Sequence, residues 1–300
     1  MYLTIDMGGT FIKYALMDEN ANITQKGKIP TLKEKDEILE SMHQLYLDVK
    51  DEGIQGIAMS VPGLIDVEKG IMVTAGAIGA LYGCHMAEEL SALCDGVKVS
   101  VENDGKAAAY AEAWLGAAKD VPNCYVLGFG TGIAGAAIIN KKALRGPRLI
   151  AGEASGFPVL GNRHDIKPVK FAHYSTIATC KKAAEALGKE NMSGEELFEL
   201  YKAGNEAVVD IVEDWWYMIA LQCNYLQLVV DPDVICIGGG ISAEPLFIEG
   251  IQKWVEAIRM TKSNPDDPNF IAPKVVKCQF NNDSNLIGAL YNFKQLYPDL

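Results

Sequence analysis

Long apolar runs and clusters of basic residues are both missing from this sequence. A bilayer-spanning helix needs about 20 consecutive apolar residues, and the opening MYLTIDMGGT lacks the basic and then apolar regions of a signal peptide. The formal net charge of -12 repels nucleic acids and anionic lipid surfaces, and no lysine-rich segment offsets it. We therefore expect a cytoplasmic protein that binds neither nucleic acids nor membranes.

Paired cysteines and zinc-ligand spacings are missing as well. The seven cysteines are dispersed and form no CxxC pair, which is typical of reduced thiols buried in a core. His164, His173 and Cys180 do not have the spacing of zinc ligands. The composition that is present, 49% hydrophobic and 22% charged residues, is typical of a folded protein. The length of 300 residues is enough for two domains.

A strand, a glycine-rich turn and a second strand occur twice in the predicted secondary structure. The first copy lies within residues 2–17 and the second within residues 124–139. Strands and helices alternate in the rest of the chain, which indicates an α/β fold. The recurrence of the pattern predicts two similar α/β domains, residues 1–115 and 116–284.

The remaining predicted elements follow from hydrophobic periodicity and from turn residues. Helices are predicted at residues 34–51, 106–118, 176–187, 207–230, 244–260 and 285–297, and further strands at 23–29, 56–61, 97–102, 234–238 and 274–280. Residues 150–175 are predicted to be irregular. Trp215 and Trp216 lie in the long apolar helix and are expected in the core or in an interface between subunits.

The first glycine turn carries the groups that a bound phosphate needs. Gly8 and Gly9 would let backbone N–H groups approach a phosphate closely, and Thr10 adds a hydroxyl donor. Asp6 supplies a carboxylate that can hold Mg²⁺ directly or through water, and Lys13 adds positive charge from the next strand. A tight hairpin without any ligand is an equally good interpretation of this turn when it is taken alone.

Two further glycine turns are open to the same two interpretations. Gly130, Thr131 and Gly132 repeat the first turn in the second copy, so that both turns would face one nucleotide. Gly239 and Gly240 follow a buried strand and precede a helix, which suits the adenosine or phosphate part of a nucleotide. A plain hairpin or close packing of strand and helix would use the same glycines.

Polar side chains at a strand end and in a loop are candidates for the chemistry. Asn103 and Asp104 lie between a strand and an alanine-rich helix. A sugar hydroxyl is a poor nucleophile, so its phosphorylation needs a carboxylate such as that of Asp104 to take the proton. The amide of Asn103 would orient neighbouring hydroxyls, although Asn and Asp are also preferred helix N-caps. Gly63, in a turn after a buried strand, and Glu153, in the irregular segment, are further candidates for substrate contacts.

Six motifs, in this order, resemble the ROK family of sugar kinases from about residue 3 to residue 290. The motifs are DMGGTFIKYAL, SVPGLID, VENDGKAAAYAE, LGFGTGIAGAAIINKKALRG, AGE and DPDVICIGGGIS. The resemblance implies the actin-like, ribonuclease-H-like ATPase fold, which has two duplicated α/β domains around a cleft. It also implies that the C-terminal helix, residues 285–300, packs on the first domain and that the protein is a homodimer.

The resemblance also implies a reaction and assigns roles in it. The γ-phosphate of ATP would pass, with Mg²⁺, to a hydroxyl of a hexose-type sugar of the glucose, mannose, fructose or N-acetylhexosamine class. Asp104 would be the base, and Gly63, Asn103 and Glu153 would contact the sugar. The phosphates of ATP would be contacted by Asp6, Gly8, Gly9 and Thr10, and Asp6 would also face the metal. The second turn, Gly130, Thr131 and Gly132, would contact the phosphates as well. Gly239 and Gly240 would lie near the adenosine.

Three departures from the family pattern concern zinc and the sugar pocket. The zinc motif CxCGxxGCxE has no counterpart here, so structural zinc is not expected, and the position of its final glutamate falls near Phe171. The family's GExGH reads GEASGF over residues 152–157, without the histidine. The segment before the catalytic aspartate reads TAGAIGALYGCHM over residues 74–86, without the family's Asn and Trp. The kinase chemistry is therefore expected to be intact and the sugar pocket to be altered.

Two alternatives to a kinase are considered. A DNA-binding repressor of the same family needs a helix-turn-helix ahead of the first strand, which here begins within three residues of Met1. A sugar-sensing or ATP-hydrolysing module without kinase activity is disfavoured by the presence of Asp6 and Asp104, although the altered loop at residues 153–157 is compatible with it. Measuring ADP release with and without sugars distinguishes a kinase from an ATPase.

Overall fold

A computed structural model describes residues 1–162, 165–262, 264 and 271–300. The strands are β1 (Tyr2–Met7), β2 (Phe11–Met17), β3 (Ile23–Pro30), β4 (Gly56–Val61), β5 (Ile65–Asp66), β6 (Ile71–Met72), β7 (Lys98–Asn103), β8 (Cys124–Phe129), β9 (Ile133–Ile139), β10 (Lys142–Ala143), β11 (Pro158–Asn162), β12 (Asp165–Lys170), β13 (Val234–Gly238) and β14 (Val275–Lys277). The α-helices are α1 (Lys35–Val49), α2 (Met86–Leu93), α3 (Asp104–Trp114), α4 (Thr176–Ala186), α5 (Gly194–Lys202), α6 (Glu206–Val230), α7 (Pro245–Met260) and α8 (Ser284–Leu296). Within the described ranges, none of these helices has the length and apolarity needed to span a bilayer.

The chain divides into two compact units. Unit 1 comprises Met1–Leu115, Arg145–Ala151 and Asn282–Leu300, and unit 2 comprises Gly116–Leu144 and Gly152–Asn281. The sheet of unit 1 has the order β3-β2-β1-β4-β7, and the sheet of unit 2 has the order β10-β9-β8-β13-β14. In both sheets three antiparallel strands are followed by strands that run parallel to the central one. The predicted α/β class and the duplication of the strand–turn–strand pattern are thus confirmed.

Unit 1 buries one face of its sheet under α8, which contacts β1, β4, β7 and α3. Small side chains allow α8 and α3 to lie close together. A Cβ atom at Gly288 of α8 would lie 1.6 Å from the carbonyl oxygen of Ala107 in α3. Ala107 and Ala111 are themselves fully buried. The alanine-rich composition of α3 is therefore explained by the packing of α8, because larger side chains would hold the helices apart.

Unit 2 has its core around the long helix α6. Trp215 and Trp216 are 1% and 2% exposed. The indole N–H of Trp215 donates to the Tyr174 carbonyl oxygen at 2.6 Å, and the ring of Trp216 lies against Gly250, where a Cβ atom would be 2.2 Å from it. Of the two predicted locations for these tryptophans, the core is confirmed and the interface between subunits is not.

Some elements differ from those predicted. Residues 150–175 are not wholly irregular, because β11 and β12 pair antiparallel within them. Helices α2 and α5 were not predicted, although Ser193 caps α5 by accepting the Glu196 N–H at 3.1 Å, a spacing typical of helix starts. Helix α3 begins at Asp104, two residues before the predicted start. Arg145–Ala151 belongs to unit 1, whereas the predicted boundary places it in the second domain, residues 116–284.

Candidate functional site

The first glycine turn connects β1 to β2 in unit 1. The N–H of Gly8 donates to the carbonyl oxygen of Phe11 at 3.0 Å and closes the turn. The N–H groups of Gly9 and Thr10 have no acceptor among the described residues, and both residues are exposed. A Cβ atom would lie 3.1 Å from the Phe11 oxygen at Gly8 and 3.3 Å from the Ala77 Cβ atom at Gly9. Two adjacent N–H donors on an unobstructed backbone can bind a phosphate.

Asp6 lies just before this turn and is held in a fixed orientation. Its Oδ1 atom accepts hydrogen bonds from the Ser60 hydroxyl at 3.2 Å and from the Asn285 amide at 2.9 Å. Its Oδ2 atom lies 3.6 Å from the Nζ atom of Lys13, which is its partner across β1 and β2. Lys13 therefore points to the same face of the sheet as Asp6, and its charge is available beside the turn.

Asn103 and Asp104 lie where β7 ends and α3 begins. Asn103 is the N-cap, and its Oδ1 atom accepts the Lys106 N–H at 3.0 Å. Its Nδ2 atom donates to the Gly63 carbonyl oxygen at 2.9 Å and to Oδ1 of Asp104 at 3.0 Å. Oδ1 of Asp104 also accepts the Gly105 N–H at 2.8 Å. The cap predicted as an alternative is thus present, but the capping side chain belongs to Asn103.

Gly63 has a structural requirement of its own. Its φ angle is +105°, and a Cβ atom would lie 2.2 Å from the carbonyl oxygen of Thr74. Only glycine fits this position without strain. The turn therefore presents the Gly63 carbonyl oxygen to the Asn103 amide.

The residues of unit 1 singled out from the sequence lie at one edge of its sheet. Strands β1, β4 and β7 are parallel neighbours, and Asp6, Ser60 and Glu102 are register partners across them. The carboxyl ends of these strands carry the Asp6 turn, the Gly63 turn and Asn103-Asp104. Two interstrand spacings, about 10 Å, separate β1 from β7. Ligands of open α/β sheets bind at this edge.

The second and third glycine turns lie together in unit 2. The N–H of Gly130 donates to the carbonyl oxygen of Gly132 at 3.0 Å, and the Gly130 carbonyl oxygen accepts the Ile177 N–H at 3.3 Å. Strands β8 and β13 are parallel neighbours. Gly239 has a φ angle of +92°, and a Cβ atom there would lie 2.0 Å from the Phe129 carbonyl oxygen. The two turns are therefore in direct contact at the carboxyl edge of this sheet.

A pocket of about 440 Å³ lies beside Gly240 in unit 2. Thr176, Glu195, Ile241 and Glu244 contribute to its lining. The Oγ1 atom of Thr176 is buried and has no hydrogen-bond partner among the described residues. A buried hydroxyl without a partner is costly, and a ligand in the pocket would satisfy it. Of the lining, the sequence analysis identified only Gly240, because the other residues come from three separate segments without a shared local pattern.

The loop that contains Glu153 is fixed against β8 and β9 of unit 2. The Tyr125 hydroxyl donates to the Gly152 carbonyl oxygen at 2.6 Å, and the Ser155 hydroxyl donates to the Ile133 carbonyl oxygen at 2.5 Å. Burial raises the pKa of the Tyr125 phenol, and the charge of Glu153 adds to the increase. Tyr125 was not predicted as a site residue. It determines where the loop, and with it Glu153, is held.

The position of the family's missing glutamate lies in the core of unit 2. Phe171 is fully buried in the core of unit 2, where its ring contacts Phe129 with centroids 6.0 Å apart. Within the described residues, no group of three or more His, Cys, Asp and Glu side chains forms a possible metal site. A buried phenylalanine at this position supplies no carboxylate that could contact a sugar.

Comparisons with known proteins extend over the whole chain. The sequence profile of the ROK family matches residues 2–296. This chain belongs to the ROK family. A β-glucoside kinase of Listeria monocytogenes is 29% identical, with 97% of this chain and 96% of that protein covered. An N-acetyl-D-glucosamine kinase of Yersinia pseudotuberculosis is 24% identical over 97% of this chain and 98% of the relative.

Solved structures of the ROK family have the same fold. A ROK family protein of Streptococcus pneumoniae, crystallised in complex with sucrose, superposes with a TM-score of 0.89 at 29% identity. The superposition covers 100% of this chain and 99% of that protein's chain. The ROK hexokinase of Thermus thermophilus superposes with a TM-score of 0.84 at 22% identity, covering 99% of both chains. The predicted actin-like ATPase fold is thereby confirmed.

Proposed function

We propose that this ROK family chain is an ATP-dependent kinase that transfers the terminal phosphate of ATP to a hydroxyl of a hexose-type sugar. The observation that supports it most strongly is the carboxyl edge of the sheet in unit 1. There a phosphate-binding turn with Asp6 and a carboxylate, Asp104, are two parallel strands apart, about 10 Å. A phosphoryl group in transfer fits that spacing. The β-glucoside kinase and N-acetyl-D-glucosamine kinase among the relatives support the same reaction class.

Each unit offers groups of its own to a nucleotide. The free N–H groups of Gly9 and Thr10 would hold phosphate oxygens, as would the turn Gly130–Gly132 of unit 2. The pocket beside Gly240 would take the adenosine part. Asp6 fits Mg²⁺, because this ion is usually held by one or two carboxylates together with waters and substrate phosphates. The ion would neutralise charge on the phosphates. Lys13, whose Nζ atom lies 3.6 Å from Oδ2 of Asp6, would add a second positive charge.

The sugar would be activated by Asp104. The carboxylate takes the proton of the attacking hydroxyl while the new oxygen–phosphorus bond forms and the bond to the leaving ADP breaks. The Asn103 amide, held by the Gly63 carbonyl oxygen at 2.9 Å, keeps the Asp104 carboxylate in orientation. Glu153 would accept hydrogen bonds from sugar hydroxyls. The sugar class is that of glucose, mannose, fructose or N-acetylhexosamine.

A coupled assay for ADP tests this function. The purified protein is incubated with ATP and Mg²⁺, with and without each sugar of a panel from these four classes, and the products are identified by mass spectrometry. A kinase releases ADP only with its sugar and yields a sugar phosphate. ADP release without any sugar would instead identify an ATPase, and no release with the whole panel would contradict the proposal.

A further inference from the structure

A buried ion pair lies directly behind Asn103 and Asp104. Glu102, the residue before them, is 0% exposed. Its Oε1 and Oε2 atoms accept hydrogen bonds from Nη1 and Nη2 of Arg145 at 2.8 and 2.6 Å. This two-pronged geometry is the strongest arrangement of arginine and carboxylate, and it compensates the cost of burying the Glu102 charge. Burial opposes the charge of Arg145, yet the hydrogen bonds and charge of Glu102 raise the pKa of its guanidinium.

The ion pair reaches the site through the backbone. Oε1 of Glu102 also accepts the Asn103 N–H at 2.8 Å. The Asn103 side chain in turn donates to Oδ1 of Asp104 at 3.0 Å. Hydrogen bonds on either side of Asn103, joined by the covalent frame of that residue, therefore connect the Arg145 guanidinium with the carboxylate of Asp104. The bond to the Asn103 N–H fixes the backbone from which the Asn103 side chain extends toward Asp104.

We propose that Arg145 is a positioning residue for phosphoryl transfer, acting through Glu102 on Asn103 and so on the orientation of the Asp104 carboxylate. This inference rests on the proposed function, because it assigns Arg145 to the same reaction. Arg145 itself touches no reacting atom in this scheme. Its ion pair with Glu102 holds the junction between β7 and α3 in one conformation. A carboxylate that takes part in a reaction requires such a defined orientation.

A purely structural role is the competing explanation. Arg145 opens the segment Arg145–Ala151, which is closed by the Ala151 N–H donating to the Arg145 carbonyl oxygen at 3.0 Å. Nη2 of Arg145 also donates to the Tyr110 hydroxyl at 3.4 Å. If the side chain only anchors this segment to unit 1, its replacement changes stability and changes activity only in proportion to the folded fraction.

Arg145→Lys separates the two roles, because lysine keeps the charge and loses the two-pronged geometry. We expect kcat to fall by about 10²-fold, with the KM for ATP and the melting temperature near those of the wild type. The acidic limb of the pH profile of kcat should move to higher pH. The reason is that the Asn103 amide stabilises the ionised form of Asp104 only while the amide donates a hydrogen bond to that carboxylate. Arg148→Lys, on the exposed part of the same segment, is the matched control and should change none of these quantities.

A second variant keeps the test valid if Arg145→Lys does not fold. Glu102→Gln combined with Arg145→Met removes both charges and keeps most of the buried volume, an exchange that proteins often tolerate without loss of stability. The same loss of kcat and the same shift of the pH profile are expected. A stable double variant with wild-type kcat and pH profile would overturn the proposal, as would unchanged kinetics of Arg145→Lys. A wild-type protein without sugar-dependent ADP release would overturn the proposed function instead.

Discussion

Asp104 combines two possible roles at the start of α3, and one substitution separates them. Asp104→Asn keeps the size and most hydrogen bonds of the side chain but cannot accept a proton. We expect kcat to fall by about 10²–10⁴-fold, or roughly 3–5 kcal/mol of barrier, with substrate binding largely retained. Stability should hold, because the N-cap is supplied by Asn103.

Steady-state kinetics beside a thermal melt check this expectation. Asp51→Asn, at an exposed position away from the site, serves as the control. A near-normal kcat for Asp104→Asn would show that this carboxylate is not the base, and the mechanism would have to be given up.

Gly9 is the residue of unit 1 on which the proposed binding of phosphate depends most. Gly9→Val would place a branched side chain over the free N–H groups of Gly9 and Thr10, already tight at 3.3 Å from Ala77. Hydrogen bonds to charged groups contribute about 1.5–3 kcal/mol, so the KM for ATP should rise by about 10- to 100-fold. The sugar KM and the melting temperature are the controls. Normal ATP kinetics in a folded variant would mean that the turn is only a hairpin.

Candidate residues could be identified from the sequence only where a local motif coincides with the end of a predicted strand. Asp6, Gly9 and Asp104 stand next to strand ends that hydrophobic alternation marks, so motif and location agree. Arg145 could not be connected with Glu102, because the two are 43 residues apart and nothing in either neighbourhood indicates the pairing. Tyr125 reads as an ordinary strand residue, and only its hydroxyl contact with Gly152 shows its role.

At the scale of elements, the contact between α3 and α8 determines how the sheet of unit 1 is covered. Gly288→Ala would place a Cβ atom 1.6 Å from a backbone oxygen, which cannot move aside as a side chain can. Overpacking costs about 1–3 kcal/mol, and a clash with backbone belongs at the upper end of that range, above the gain of about 1 kcal/mol in helix propensity. We expect a lower free energy of unfolding, measured by urea denaturation.

The matched control for this variant is Gly79→Ala. Gly79 is exposed and has no atom within 4 Å of its Cβ position. This variant should be neutral or slightly more stable, because alanine restricts the unfolded chain. Equal stability of Gly288→Ala and wild type would contradict the close approach of the two helices.

Most elements were predictable because their periodicity is strong. Strands β1, β4 and β8 are buried apolar runs that end at glycine or polar residues, and α1 repeats Ile38, Met42, Leu45 and Val49 on one face. The hairpin of β11 and β12 was missed, since its sequence contains prolines, which usually argue against strands. Helix α5 was missed although Ser193 and Glu196 have the spacing of a helix start.

At the scale of the whole molecule, metal content is predicted to distinguish this chain from relatives with the zinc motif. We expect no stoichiometric zinc in the purified protein. Elemental analysis measures this directly, and about one zinc per chain would contradict it. A chelator should stop ATP turnover until Mg²⁺ is restored but should leave the melting temperature unchanged, because structural zinc contributes to folding and a substrate-bound ion does not. A homodimer, implied by the family resemblance, remains a prediction.

The order in which the chain builds unit 1 has a consequence for its synthesis. Helix α8 covers β1, β4 and β7 but follows the whole of unit 2 in the sequence. During synthesis on the ribosome, one apolar face of the first sheet therefore stays uncovered until all of unit 2 has been translated. Such exposed surface attracts chaperones and promotes aggregation. Premature termination before α8 would thus leave unit 1 unfinished, while unit 2, whose segments are by then complete, would already be able to fold.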